Sequence, residues 1–88
     1  MDNYIFLLPL YNDWKSLRRL LVQINLQTKK LNKKAEILVV DDNSTNISKI
    51  NIRSLKNIKK IKILRLNENL GSQKAISIGL TYLQSLKR

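Results

Sequence analysis

Tyr4-Ile5-Phe6-Leu7-Leu8 is a short unbroken apolar run closed by Pro9, the pattern of a strand buried on both faces. Asn12-Asp13 supplies a turn and a helix cap, with Asp13 the better placed of the two. Trp14, Leu17, Leu20, Leu21 and Ile24 then fall on one helical stripe, and Lys15, Arg18, Arg19 and Gln23 on the opposite face. After the polar break Asn32-Lys33-Lys34 comes Ile37-Leu38-Val39-Val40, apolar without alternation, which predicts a central parallel strand. It ends abruptly in Asp41-Asp42-Asn43-Ser44-Thr45-Asn46, a run of turn formers. Residues 47–58 carry a weaker helical spacing in Ile47, Ile50, Leu55 and Ile58. Ile61 to Leu66 alternates and predicts a third strand nearer an edge. Asn67 to Gly71 is a loop, and a last helix starts near Ser72 with Ala75, Ile76, Gly79, Leu80 and Leu83 inward.

The predicted order is β-α-β-α-β-α. Short buried strands alternating with helices imply right-handed crossovers and a three-layer, Rossmann-like parallel sheet of the α/β class. With 88 residues the core is small, since a chain of this size buries only about 60–65% of its unfolded surface. Three parallel strands also leave an unfinished edge, whereas parallel sheets are usually wider and covered. Residues 1–88 are therefore expected to be one N-terminal portion of a larger domain.

Composition removes several chemistries. There is no cysteine and no histidine, so disulfides, thiolate sites, the commonest general base and the commonest metal ligand are excluded. The net charge is +11, and residues 45–88 hold ten basic side chains against one acid, Glu68. Such asymmetry suits an anionic partner, nucleic acid or membrane surface. Lysine outnumbers arginine 12 to 5, however, and phosphate readers lean towards arginine forks. No stretch is apolar for the roughly 18–20 residues that span a bilayer. Asp2 stands where a signal peptide would be basic, so the cytoplasm, or the cytoplasmic face of a membrane, is the expected location.

Ligands of open α/β sheets sit beyond the carboxyl ends of the strands. Three loops meet there: Pro9-Leu10-Tyr11-Asn12, Asp41-Asp42-Asn43-Ser44, and Asn67 to Lys74. They offer an aromatic face for a base, carboxylates for a base N–H or ribose hydroxyl, and a glycine that opens backbone N–H groups to an anion. That set suits a nucleotide. Asp41-Asp42 also fits a strand end followed by an Asx turn, and Lys74 a solvated helix residue.

These blocks resemble the family-two glycosyltransferases of GT-A fold. Those open with P-x-Y-N, continue with E-I-(apolar)-V-D-D-x-S, and follow with N-x-G, an alanine four residues on and a glycine four further. Pro9 to Asn12, Glu36 to Ser44, and Asn69 to Gly71 with Ala75 and Gly79-Leu80 match in order. The third block is most similar to the polyprenyl-phosphate sugar transferase branch. By position, the resemblance implies that Pro9, Leu10, Tyr11 and Asp42, with Asp41 less directly, hold the base and ribose of a UDP- or GDP-sugar. It brings Lys74 towards the diphosphate and gives Asn12, Asn69 and Gly71 a loop-shaping part. It further implies inverting transfer to a polyprenyl phosphate or a glycan, peripheral membrane contact, and a Mg2+ or Mn2+ ion. The ion's D-x-D motif and the acceptor base are absent, since Glu68 is the one acid after Asp42. No metal ligand and no catalytic residue is therefore assigned, and these residues alone should not transfer a sugar.

Two other readings compete. Ile37 to Asn43 also resembles the first strand of a phosphoryl-accepting receiver domain, whose acidic pair holds magnesium, but no later strand brings a phospho-acceptor aspartate. Lys56, Lys59, Lys60, Lys62 and Arg65 form a basic stretch that could hold nucleic acid by charge alone. Tyr82 is the one aromatic after Trp14, so no stacking platform accompanies it, and no nucleic acid is expected as partner.

Overall fold

The computed structural model describes residues 3–86, which leaves Asp2 outside the described residues. The elements run β1 (Asn3–Leu10), α1 (Trp14–Lys30), β2 (Lys34–Asp41), β3 (Ile58–Arg65) and α2 (Ser72–Ser85). All strand pairing is parallel, in the order β1-β2-β3. The chain is α/β with a three-stranded parallel sheet, as predicted. The register sets Leu10 opposite Asp41 and Asp41 opposite Arg65, so the three strands end at one level.

Strand alternation sorts the core into two layers. Ala35, Ile37 and Val39 of β2 meet Trp14, Leu17, Leu21 and Ile24 of α1, joined by Phe6, Leu8 and Leu10 of β1. Leu38 and Val40 point the other way, against Ala75 of α2, with Leu7, Leu64, Tyr82 and Leu83 around them. β2 is thus buried on both faces, which explains its unbroken apolar run. Ala75 and Gly79 are the two buried residues of α2. A methyl group on Gly79 would lie 2.5 Å from Leu7 Cδ1 and 2.9 Å from Val40 Cγ2, so the helix rests directly on the sheet there.

Four expectations change. β1 is an edge strand, and Tyr4 and Ile5 are exposed rather than buried on both faces. Pro9 lies inside β1 instead of closing it: the Leu10 carbonyl accepts from Asp42 N–H, so alternation turns the Pro9 nitrogen to the open edge, where no donor is needed. Residues 47–57 form no helix. Ile50, Ile52 and Leu55 pack onto the α1 side of the core from an irregular segment, and β3 begins at Ile58. The Asn51 carboxamide takes the Arg53 N–H at 2.9 Å, an Asx turn that competes with helical bonding. Finally, Leu20, Ile76 and Leu80 sit at the exposed margins of their helices rather than inward.

Candidate functional site

Asp41 ends the most buried strand and Asp42 follows it, and adjacent residues of extended chain face opposite sides of a sheet. The two carboxylates therefore diverge. Asp41, 2% exposed, takes the Ser44 N–H on Oδ1 at 2.9 Å and the Arg65 guanidinium on Oδ2 at 2.9 Å. Arg65 Nη2 also donates to the Ser44 carbonyl at 2.8 Å, so one side chain closes the turn from both ends. Asp42, 4% exposed, accepts Leu70 N–H on Oδ1 at 2.7 Å and Gly71 N–H on Oδ2 at 2.8 Å. That carboxylate ties the second loop to the third at the start of α2, where backbone donors and the helix dipole favour negative charge.

The first loop is joined to the second by Asn12. It adopts φ 62°, a conformation asparagine tolerates, and its N–H donates to Ser44 Oγ at 2.8 Å. Its side-chain oxygen accepts from the N–H groups of Thr45 and Asn46 at 2.8 and 3.1 Å. Trp14 Nε1 adds a bond to the Asn46 carbonyl at 2.9 Å, and Asp13 caps α1 through the Ser16 N–H. Hydrogen bonding to Ser16 holds the Asp13 carboxyl below the usual aspartate range. All three loops beyond the strand ends thus form one hydrogen-bonded unit.

Pro9 and Tyr11 are exposed, Tyr11 by 49%, while Leu10 is buried in the core beneath them. Pro9, Leu10 and Tyr11 line a shallow pocket of ≈ 160 Å³ with Leu8, Asp13 and Leu17. Lys74 is exposed in the first turn of α2, and Asn69 donates to the Asp42 carbonyl at 3.3 Å. Gly71, at φ 93°, occupies backbone space that side chains rarely enter. The register brings Tyr11 and Asp42 to neighbouring strand ends, as the Asp42 N–H bond to Leu10 shows. The sequence pattern places Arg65 in the basic stretch that begins at Lys56, not at the site. Its signal is positional: a cation ends the third strand at the level where Asp41 ends the second.

These residues do not fit a divalent cation. Asp41 and Asp42 face opposite ways and already accept from a guanidinium or from backbone N–H groups, so the pair cannot chelate one ion as it stands. Among the described residues no three His, Cys, Asp or Glu side chains gather into a metal-binding group. The same divergence removes the magnesium-holding acidic pair of the receiver-like reading.

The family model described as Glycosyl transferase family 2 matches residues 5–85. No curated protein and no solved structure matches the chain significantly.

Proposed function

The chain belongs to glycosyl transferase family 2, and from that premise we propose that its strand-end loops bind the nucleotide of an activated sugar. The protein would then serve inverting transfer, with residues 1–88 as the donor-binding portion of a larger domain. The acceptor oxygen attacks the anomeric carbon, the bond from that carbon to the diphosphate breaks, and the nucleoside diphosphate leaves. Donor and acceptor are a UDP- or GDP-sugar and, on the resemblance of the third block, a polyprenyl phosphate or glycan. No residue here is assigned as the base that takes the acceptor proton. The family often uses a divalent metal, and the diverging Asp41 and Asp42 do not fit one.

One observation supports this reading above the others: Asn12 and the Asp42 carboxylate bind the three motif-bearing loops into a single platform. On it, exposed Tyr11 offers a face for the base, and Lys74 at the start of α2 offers charge to the diphosphate. Each Asp42 oxygen accepts one protein N–H, and an ionised carboxylate has about four lone-pair sites. Asp42 thus has acceptor capacity left for a base N–H or ribose hydroxyl, which at 4% exposure it would offer only with the third loop drawn back from it.

Calorimetry with UDP- and GDP-sugars, and with an ADP-sugar for comparison, tests the proposal. Tyr11→Ala should weaken binding by about 1–3 kcal/mol, the scale of one base stacked on an aromatic. The melting temperature should hold, because Tyr11 is half exposed. Absence of saturable binding to any nucleotide, or unchanged affinity in Tyr11→Ala, would overturn it.

A further inference from the structure

The acids of the fold are segregated along the strand axis, whereas cations stand at both ends, Lys15, Arg18, Arg19, Arg65 and Lys74 among them at the carboxyl end. Of the five acids among the described residues, Asp13, Asp41, Asp42 and Glu68 lie in or next to the loops at the carboxyl ends. Glu36, early in β2, is the exception, and it is held by Asn3 at 3.0 Å and Lys60 at 3.6 Å. At the amino ends of the strands cations stand with almost no acids between them. Lys29 and Lys30 end α1, Lys33 and Lys34 open β2, and Arg53, Lys56 and Lys59 lead into β3.

Two adjoining hollows of ≈ 530 and ≈ 410 Å³ run across this end and share Asn3, Lys34 and Lys59. Lys29 and Lys33 line the first, and Arg53 and Lys56 the second. No acid lines either among the described residues. Lys29 and Lys30 complement the dipole at the end of α1, but that role does not involve Lys56 or Lys59.

We propose that this amino-terminal end of the sheet is a docking surface for an anionic lipid bilayer. Four features favour a bilayer over a nucleic acid. The cations are spread across an open end rather than gathered around a cage. Six of the seven are lysines, point charges suited to a diffuse headgroup field, where each cation near the surface adds to attraction. Leu31, 55% exposed, stands among Lys29, Lys30, Lys33 and Lys34 at the tip of α1. An apolar tip ringed by lysines enters the headgroup boundary, with the ammonium groups reaching back to the phosphates. No aromatic side chain lines either hollow to stack on a base. Docked this way, the chain keeps the carboxyl-end loops turned away from the bilayer, which favours the glycan over the polyprenyl phosphate of the two acceptors proposed above.

The test is co-sedimentation of the full chain with phosphatidylcholine vesicles, with and without phosphatidylglycerol. Binding should require the anionic lipid and fall steeply as salt is raised. The triple variant Lys29→Gln/Lys56→Gln/Lys59→Gln should reduce partitioning by about 100-fold, the scale of three surface lysines. The charge-matched variant Lys15→Gln/Arg19→Gln/Lys49→Gln should retain most of it, and Leu31→Ser should weaken it at constant charge. Thermal melts of each variant establish that it is folded. Equal losses in the two triple variants would overturn the proposal, because net charge would then explain the binding. Tighter binding of an RNA duplex than of anionic vesicles, lost in the first variant, would overturn it in favour of nucleic acid.

Discussion

At the scale of single residues, the loops stand on buried carboxylates that accept from the chain itself. Asp42→Asn replaces an acceptor-only group by one with an NH2 that cannot accept from Leu70 or Gly71. Two charge-assisted bonds weaken together, so stability should fall by about 1–3 kcal/mol in denaturant unfolding. An unchanged midpoint would mean that the third loop is held by something else. Arg65→Met should cost a similar amount, about 1–3 kcal/mol, because the Asp41 carboxyl group, 2% exposed, would be left with the Ser44 N–H as its one side-chain partner. Arg65 is partly exposed, so the larger losses of fully buried pairs are not expected. Asp13 gives a pH dependence whose sign follows from its lowered folded pKa. The cap's contribution is complete above the unfolded aspartate value and is lost as pH falls through the lowered folded value. Asp13→Ala should therefore be less stable than wild type at neutral pH and converge with it in acid. Parallel pH–stability curves for the two proteins would contradict that assignment.

Among the elements, those whose burial is set by local periodicity were legible in the sequence. β2 reads as central because both its faces meet helices, and α1 reads from Trp14, Leu17, Leu21 and Ile24. The segment 47–57 misleads because Ile47, Ile50 and Leu55 keep helical spacing although Ile50 and Ile52 enter the core from irregular chain. Ile47 itself is 72% exposed, and asparagine turns hold the backbone instead. Asn57 illustrates the same economy, taking Asn25 Oδ1 on its N–H and donating to the Lys33 carbonyl. At the site, proximity on the strand ends was legible, but the divergence of Asp41 and Asp42 and the part of Arg65 depend on register. Register is a tertiary property that residue type does not carry. The glycine of the third motif acquires a packing reason in this way. Gly79→Ala gains helix propensity worth about 1 kcal/mol, yet it drives a methyl into Leu7 and Val40. Leu7 can rotate away, but branched Val40 is stiff, and overpacking of this kind costs about 1–3 kcal/mol. The net change in unfolding free energy should be destabilising. A more stable Gly79→Ala protein would mean that α2 rides higher on the sheet.

For the whole molecule, open edges and one-sided charge set the limits. β1 and β3 are both edges, and they are guarded differently. β3 carries Lys59, Lys60, Lys62 and Arg65, charges of the kind that keep edges from pairing. β1 presents Tyr4 and Ile5 with no charge between Asn3 and Leu10, and Ile76, Leu80 and Leu86 leave apolar surface on the α2 side. A chain this short has little surplus core to offset such exposure. Cations crowded at the amino ends add self-repulsion that salt should screen. Purified residues 1–88 are thus expected to melt below about 65 °C, within or under the usual mesophilic range, and to gain stability as salt is raised. They should also show no sugar transfer from UDP- or GDP-sugars with magnesium or manganese present. The Asp41 and Asp42 oxygens are held by Arg65 and by backbone N–H groups, which leaves neither to act as acceptor base or metal ligand, and Glu68 is the one acid after Asp42. Turnover and melting decide these points separately. Detectable transfer to any acceptor would show that the 88 residues hold a complete catalytic set, and a sharp melt above 65 °C would show that three strands with an open apolar edge suffice for a stable fold.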